Sequence, residues 1–348
     1  MPSPETAARR IAVRLPEWWA GGGGTVGGVL RAVLAPAEAA YGTAVSVRNH
    51  GFDRGLLSVR RAPIPVISIG NLEVGGAGKT PVTAWIASHL QSLGARPAVV
   101  LRGYGRDEVQ VHEQLNPQVP VFADRDRSRA IRRAEEAGRR IAVWDDGFQH
   151  RWIHRDLDVL LVSAESLLRA PRLLPRGPWR EPLGAARRAH LVVVTRKTAS
   201  DSEVERAFSR LKPWTTVEGT AVAALRPGPL HRLDGSEEMP ITALRGDSVL
   251  AVGALAVPER FFAQLRAAGA RVEGIPFPDH HEFCQADAQA IVARAAGRRL
   301  LVTLKDAVKL RSLLAPGADV WVVAQRVVWE RGGERLMAAL DRVLGAAR

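Results

Sequence analysis

Residues 64 to 81 run Ile-Pro-Val-Ile-Ser-Ile-Gly-Asn-Leu-Glu-Val-Gly-Gly-Ala-Gly-Lys-Thr-Pro, a β-branched apolar stretch that breaks into glycines and closes on Gly78-Lys79-Thr80. No other part of the chain restricts the fold so tightly. Val66 to Ile69 suits a buried strand, and Val82, Trp85, Ile86, Leu90 and Leu93 recur at helical spacing until Gly94 ends the pattern. A strand, a glycine turn and a helix in that order put successive backbone N–H groups at a helix N-terminus, where the macrodipole favours an anion. The expected anion is nucleotide phosphate. It would be enclosed by Glu73, Val74, Gly75, Gly76, Ala77, Gly78, Lys79 and Thr80, with Lys79 reaching the β/γ oxygens and the Thr80 hydroxyl holding Mg²⁺. Glu73 stands where the common P-loop pattern has glycine, so the cradle must be built from Gly75, Gly76 and Gly78. The competing reading is a glycine-rich turn that happens to end in Lys-Thr.

Apolar runs of the kind found in buried parallel strands recur at 64–69, 98–101, 119–122, 141–144, 157–162 and 190–194, with helical or loop segments between most of them. This alternation predicts an α/β fold, a P-loop NTPase-like doubly wound and mostly parallel sheet. Between 212 and 247 the texture shifts to prolines and glycines around short strand-like pieces such as Ala221 to Leu225, as in a β-containing linker. A second series follows at 249–253, 258–267, 271–275, 300–303 and 319–323. The expected organisation is an N-terminal helical segment at 1–50, a P-loop core at 51–211, a linker at 212–247 and a smaller C-terminal α/β domain at 248–348.

Ile141-Ala-Val-Trp-Asp-Asp146 is a buried strand that delivers two carboxylates at its C-terminal end, the ligand side of a parallel sheet. Beside a P-loop this is the Walker B position, so Asp145 and Asp146 join Thr80 as candidate Mg²⁺ ligands. An acidic turn is the plainer alternative, Asp146-Gly147 being a good turn dipeptide. His150 and His154 are four residues apart, and His280-His281-Glu282-Phe283-Cys284 also raises a transition-metal reading, but neither completes a zinc set. Arg102-Gly103-Tyr104-Gly105-Arg106-Asp107-Glu108 leaves the second strand in a glycine-hinged loop. If that strand neighbours the P-loop strand, Asp107 comes near the γ-phosphate and can accept the proton of an attacking hydroxyl. A surface aspartate in a charged loop is the alternative.

The net charge of +13 points to anionic partners: nucleotide, phosphorylated substrate, acidic lipid or nucleic acid. Nucleic acid is disfavoured because the basic runs carry few aromatic residues for stacking. One cysteine, Cys284, rules out an internal disulfide framework. No signal-peptide h-region and no stretch of spanning length is present, which predicts a protein that neither enters the export route nor crosses a membrane. Residues 25 to 49 alternate apolar clusters with a few charges and fit either a helix lying in a membrane interface or a core helix. No obligate protein partner is evident.

Taken together, the motifs resemble one family, tetraacyldisaccharide 4'-kinase, the lipid A 4'-kinase. The resemblance runs from about Pro65 to Leu310. It rests on Gly70-Asn71 leading into Gly75 to Pro81, on Arg102 to Gly105, and on Asp145-Asp146-Gly147-Phe148-Gln149-His150 with His154-Arg155-Asp156. Leu173 to Pro182, Phe277 to His280 and Lys305 to Leu310 complete it. The resemblance implies transfer of the ATP γ-phosphoryl group to the 4'-hydroxyl of a tetraacylated glucosamine disaccharide 1-phosphate, with Mg²⁺, at the cytoplasmic face of the inner membrane. It implies that Lys79 and Thr80 serve phosphates and metal, and that Asp145 and Asp146 organise the metal and the transferring group. Asp107 and His280 match the family's catalytic carboxylate and its partner histidine. Arg102, Gln149, His150, Arg180 and Glu181 fall in blocks at the substrate side or rim. In this chain the segment before Asp107 is shorter than the family's. The rival functions are a P-loop GTPase or metallochaperone-like switch, against which neither Thr195-Arg-Lys-Thr nor Thr303-Leu-Lys-Asp supplies a guanine-recognition loop, and a basic nucleic-acid-binding protein.

Overall fold

The computed structural model describes residues 19, 24–103, 106–216, 219–315 and 317–346. The described chain begins with helices α1 (Gly24–Val33) and α2 (Ala35–Asp53). It continues through β1 (Val66–Asn71), α3 (Lys79–Ser92), β2 (Pro97–Leu101), α4 (Arg106–Leu115), β3 (Val121–Ala123), α5 (Arg127–Glu136) and β4 (Ile141–Asp145). Next come β5 (Leu157–Ser163), α6 (Ala164–Leu167), β6 (Leu191–Arg196), α7 (Asp201–Leu211), β7 (Thr220–Arg232) and β8 (Glu238–Met239). The last elements are β9 (Ser248–Gly253), α8 (Pro258–Ala267), β10 (Arg271–Pro276), α9 (Gln285–Ala295), β11 (Arg299–Thr303), α10 (Leu304–Leu310), β12 (Val320–Arg331) and α11 (Gly333–Ala346).

Two compact units result. The first holds the described residues up to Ala224 together with those from Val327 onward, and the second holds Leu225–Arg326. In the first, the strand order is β7-β6-β5-β1-β4-β2-β3, every neighbouring pair parallel. Every residue of β1, β2 and β5 is buried. Helices cover both faces of a parallel sheet, which is why these strands read as mostly apolar runs instead of alternating ones, with Ser68, Asn71 and Asp158 as buried polar exceptions. The register sets Ile69 of β1 beside Asp145 of β4. The last turn of the P-loop strand therefore meets the first carboxylate of the acidic pair.

The second unit carries β9 between β10 and β11, with β12 beyond β11, all parallel, and β8 antiparallel to the end of β7. Phe262, Leu265, Leu301 and Trp321 fill one side of its sheet; Leu250, Val302 and Leu310 belong to the core on the other.

The boundaries differ from those expected. The chain passes between units inside β7 and again inside β12, so 212–247 holds ordered strand, and 327–346 groups with the P-loop unit instead of the C-terminal one. Helix α11 buries Leu336, Leu340 and Val343, and an amphipathic helix goes where its stripe finds a partner, a choice local pattern does not record. Strand order also departs from the condition placed on Asp107: β4 lies between β1 and β2, so β2 does not border the P-loop strand.

Candidate active site

The cradle forms where β1 ends. Gly75, Gly76 and Gly78 all have positive φ (79°, 68° and 82°), a conformation in which an L side chain is strained, and Gly78 is the N-cap of α3. Lys79 and Thr80 are thus the first two helical residues, and the free N–H groups of that first turn face the anion site. One strand residue earlier, a Cβ at Gly70 would stand 2.4 Å from Phe148 Cβ, so only glycine lets the Asp146–Gln149 turn press against β1.

Side chains converge on this loop from three directions. Lys79 Nζ donates to Asn71 Oδ1 at 3.0 Å and lies 3.5 Å from Asp146 Oδ1. Asn71 Nδ2 donates to the Gly75 carbonyl at 3.1 Å, bracing the loop from inside. Arg180 Nη1 sits 3.0 Å from both oxygens of Asp146 and 3.3 Å from Gln149 Oε1, while Gln149 Nε2 donates to the Asn71 carbonyl at 2.8 Å. From β6, buried Thr195 donates its hydroxyl to the Ala77 carbonyl at 3.0 Å.

The Leu173–Pro182 block reaches the loop through backbone pairing. Val74 N donates to Pro178 O at 2.8 Å and Arg180 N donates to Leu72 O at 2.7 Å, around an antiparallel bridge between Glu73 and Trp179. This short ladder is what delivers the Arg180 guanidinium to Asp146. Asp146 itself has φ 61°, a left-handed conformation held by the contacts around it. Burial works against its ionisation, yet the charges of Lys79 and Arg180 and the Arg180 hydrogen bond outweigh it and hold the carboxyl below the usual aspartate range.

Asp145 is held differently. Its Oδ2 accepts from His112 Nε2 at 2.9 Å, whereas Oδ1 is buried without a hydrogen-bond partner. An orphaned carboxylate oxygen at the C-terminal end of the strand beside the P-loop fits a hard cation or its water shell, so the residues present suit Mg²⁺. Among the described residues, no three His, Cys, Asp or Glu side chains gather as a metal centre, so the transition-metal readings at 150–156 and 280–284 have no cluster behind them.

His150 stacks on Trp144 and meets Trp152 edge-on, and its Nε2 lies 3.1 Å from Arg127 Nη2. Burial, reinforced by Arg127, pushes its proton affinity down to about 4, so at neutral pH the ring is uncharged and accepts from Arg127. Arg102 adds to that push, which places its charge near both groups. Tyr104 and Gly105 of the same motif lie outside the described residues. Asp107 stands in the first turn of α4, not in a loop.

Glu181 is fully buried. Arg188 donates to both its oxygens at 2.7 and 2.8 Å, Asn49 Nδ2 donates to Oε2 at 2.7 Å, and Arg48 is 3.6 Å away. Helix α2 is therefore pinned to the P-loop unit, as it is again where Tyr41 donates to the Arg180 carbonyl at 3.0 Å. His280 belongs to the second unit, half-exposed at φ 59°, with Asp279 at 3.9 Å and Lys305 Nζ at 3.4 Å. Local sequence assigns no role here to Asn71, His112, Asn49 or Arg188, although Asn71 stands in a block that carries the family resemblance. Asn71 carried a signal, a polar residue closing an apolar strand; the others carried none that local pattern could use.

A glycine cradle capped by a helix, its lysine paired to an acidic strand end and all of it on a parallel sheet, defines a P-loop kinase fold. The family described as "Tetraacyldisaccharide-1-P 4'-kinase" matches residues 30–345. A tetraacyldisaccharide 4'-kinase of Anaeromyxobacter sp. (strain K) is 40% identical, over 95% of this chain and 95% of its own. One of Xanthomonas campestris pv. campestris (strain 8004) is 35% identical over 89% and 91%. Among solved structures, "apo" form LpxK from Aquifex aeolicus in complex with ATP superposes with a TM-score of 0.69 at 30% identity, over 90% of this chain and 99% of that one. The chain belongs to the tetraacyldisaccharide 4'-kinase family and is an ATP-dependent phosphotransferase with an alcohol acceptor.

Proposed function

We propose that this chain transfers the γ-phosphoryl group of ATP to the 4'-hydroxyl of a tetraacylated glucosamine disaccharide 1-phosphate, using the P-loop site. The observation that carries the reading is the convergence of Lys79, Arg180 and Asp146 on the glycine cradle at the start of α3. Phosphoryl transfer asks the protein mainly for positioning and charge neutralisation. The first-turn amides of α3 and the loop backbone bind the phosphates. Lys79, held ready by Asn71 and Asp146, moves its charge onto the β/γ oxygens when nucleotide arrives. Arg180, tethered by the backbone ladder at Leu72, stays close enough to share that charge. Mg²⁺ when bound would neutralise phosphate oxygens, with Asp145, Thr80 and Asp146 as its protein ligands. Of the two carboxylates, Asp145 is the better direct ligand, because Asp146 is already engaged by two cations and Asp145 Oδ1 by none.

Asp107 is the general base in this reading, taking the proton of the attacking hydroxyl, and His280 is carried over by motif match alone. Domain boundaries follow the chain's two units. Membrane association is supported by helix α1, on which Val26, Val29, Leu30 and Val33 recur at helical spacing and are 77%, 61%, 46% and 66% exposed; the cytoplasmic face is carried over from the family resemblance. No described helix is long and apolar enough to cross a membrane. A peripheral position at an anionic surface also suits the net charge of +13 and an acylated acceptor.

The test is ³²P transfer from ATP to the tetraacyl disaccharide 1-phosphate in detergent micelles, with GTP as a competing donor. Activity that requires Lys79 and prefers ATP is expected. Folded wild-type protein that transfers nothing to the authentic acceptor sinks the proposal, and a GTP preference would favour the switch reading.

A further inference from the structure

Helix α4 presents a histidine where an amphipathic helix would put an apolar side chain. Among its described side chains, Val111 and His112 are buried, His112 being 1% exposed. An imidazole there is expensive compared with leucine or isoleucine: its Nδ1 is buried with no hydrogen-bond partner, a penalty of about 1–3 kcal/mol. The offsetting contact is specific. Nε2 lies 2.9 Å from Asp145 Oδ2, and because an ionised carboxylate only accepts, the hydrogen must be on Nε2.

We propose that His112 is a positioning residue for the metal-binding carboxylate: its Nε2–H holds Asp145 Oδ2, so that Oδ1 alone remains to serve the cation or its water. The inference rests on the proposed metal role of Asp145. Ligand carboxylates are commonly oriented by such outer hydrogen bonds, which fix which oxygen is presented.

The same bond fixes a helix. At its C-terminal end α4 is followed by Asn116, whose Nδ2 donates to the Ala84 carbonyl of α3 at 2.7 Å. His112 adds a second tie, to the end of β4. Helix α4 is thus anchored both to the helix that opens on the P-loop and to the strand that ends on the metal carboxylate. Asp107 rides on that helix five residues earlier, about 7.5 Å along its axis, so both ties bear on where it is held.

The experiment measures Mn²⁺ binding by electron paramagnetic resonance in the full-length protein saturated with a non-hydrolysable ATP analogue, alongside metal-free binding of the analogue. In H112L the donor is gone, and Mn²⁺ affinity is expected to fall about 10- to 100-fold with metal-free nucleotide affinity unchanged. In H112Q the amide nitrogen occupies the Nε2 position, and affinity should return close to wild type. In H112N the amide reaches only the Nδ1 position and should fail like H112L. Long-range ¹H–¹⁵N spectra of the wild type should show the proton on Nε2. Equal Mn²⁺ affinity in H112L and wild type overturns the inference. So does loss of affinity that is equal in H112Q and H112N, since it would assign the effect to shape. If H112L does not fold, the contrast between H112Q and H112N decides. Wild-type protein that binds Mn²⁺ and analogue but phosphorylates no acceptor would refute the kinase proposal and leave this one standing; wild type that binds no Mn²⁺ refutes this one.

Discussion

Replacing Arg188 with methionine isolates the charge that balances Glu181, the buried carboxylate to which Asn49 of helix α2 is bonded. In the native protein Glu181 is 0% exposed and its charge is matched by two Arg188 bonds of 2.7 and 2.8 Å. Burial opposes ionisation of Glu181, but the Arg188 hydrogen bonds and charge, then Asn49 and Arg48, hold its carboxyl below the usual range. Methionine keeps much of the apolar packing that Arg188, 4.0 Å over the Phe148 ring, provides, while deleting the charge. Removing one member of a buried pair typically costs about 3–5 kcal/mol. Asn49 and the more distant Arg48 still face Glu181, so the low end applies, about 3 kcal/mol. For a unit of this size that lowers the unfolding midpoint by about 6–12 °C, measurable by circular dichroism at pH 7.

The loss has a pH signature. A depressed folded-state pKa gives stability that is present above the unfolded value of 4.5 and is lost as pH falls through the folded one. The gap between wild type and R188M should therefore be full at neutral pH and close in acid. Adding E181Q should recover more than half of it, because the penalty is the stranded charge rather than the missing arginine. A midpoint unchanged in R188M, or a double variant no more stable than the single, would refute the reasoning.

Burial raises the Asp306 carboxyl to about 6 against the pull of its bonds from Thr303 and Ala254, so its favourable contribution is present below 3.8 and lost as pH rises through about 6. Wild type should lose up to about 3 kcal/mol from this group between pH 4 and 8 in urea titrations, and D306N should flatten that slope; parallel slopes would exclude it. In R127L the His150 midpoint, near 4 through burial and then Arg127, should move towards 6.5 by NMR, and no movement would remove Arg127 as a cause. V29D with V33D should weaken sedimentation with anionic vesicles without changing activity on a soluble acceptor analogue, whereas unaltered sedimentation would take α1 out of the contact. In K79A, ATP-dependent transfer should fall by most of its rate while folding is retained; near-normal turnover would displace Lys79 from the site.

Local sequence was enough for the P-loop strand, its cradle and the helix that follows, but it read the helical Asp107 as part of a loop and the strand Thr220–Arg232 as part of a linker. The run from Val66 to Thr80 specified strand, cradle and helix because a strand buried on both faces is mostly apolar and the left-handed positions of the loop, Gly75, Gly76 and Gly78, favour residues without a Cβ. The two carboxylates were legible because a strand's C-terminal end is the ligand side of such a sheet, and the family followed from short blocks in a fixed order. What needed the tertiary structure is what depends on distant partners. Sheet order put β4 between β1 and β2, the backbone ladder at Leu72–Val74 brought Arg180 to Asp146, and His112 met Asp145 across 33 residues of sequence. The fate of the two carboxylates makes the distinction plain. They are adjacent in sequence and chemically identical, and only the folded chain gives Asp146 two cations and Asp145 a histidine and a vacant oxygen, because an ionisable group's role is set by what surrounds it.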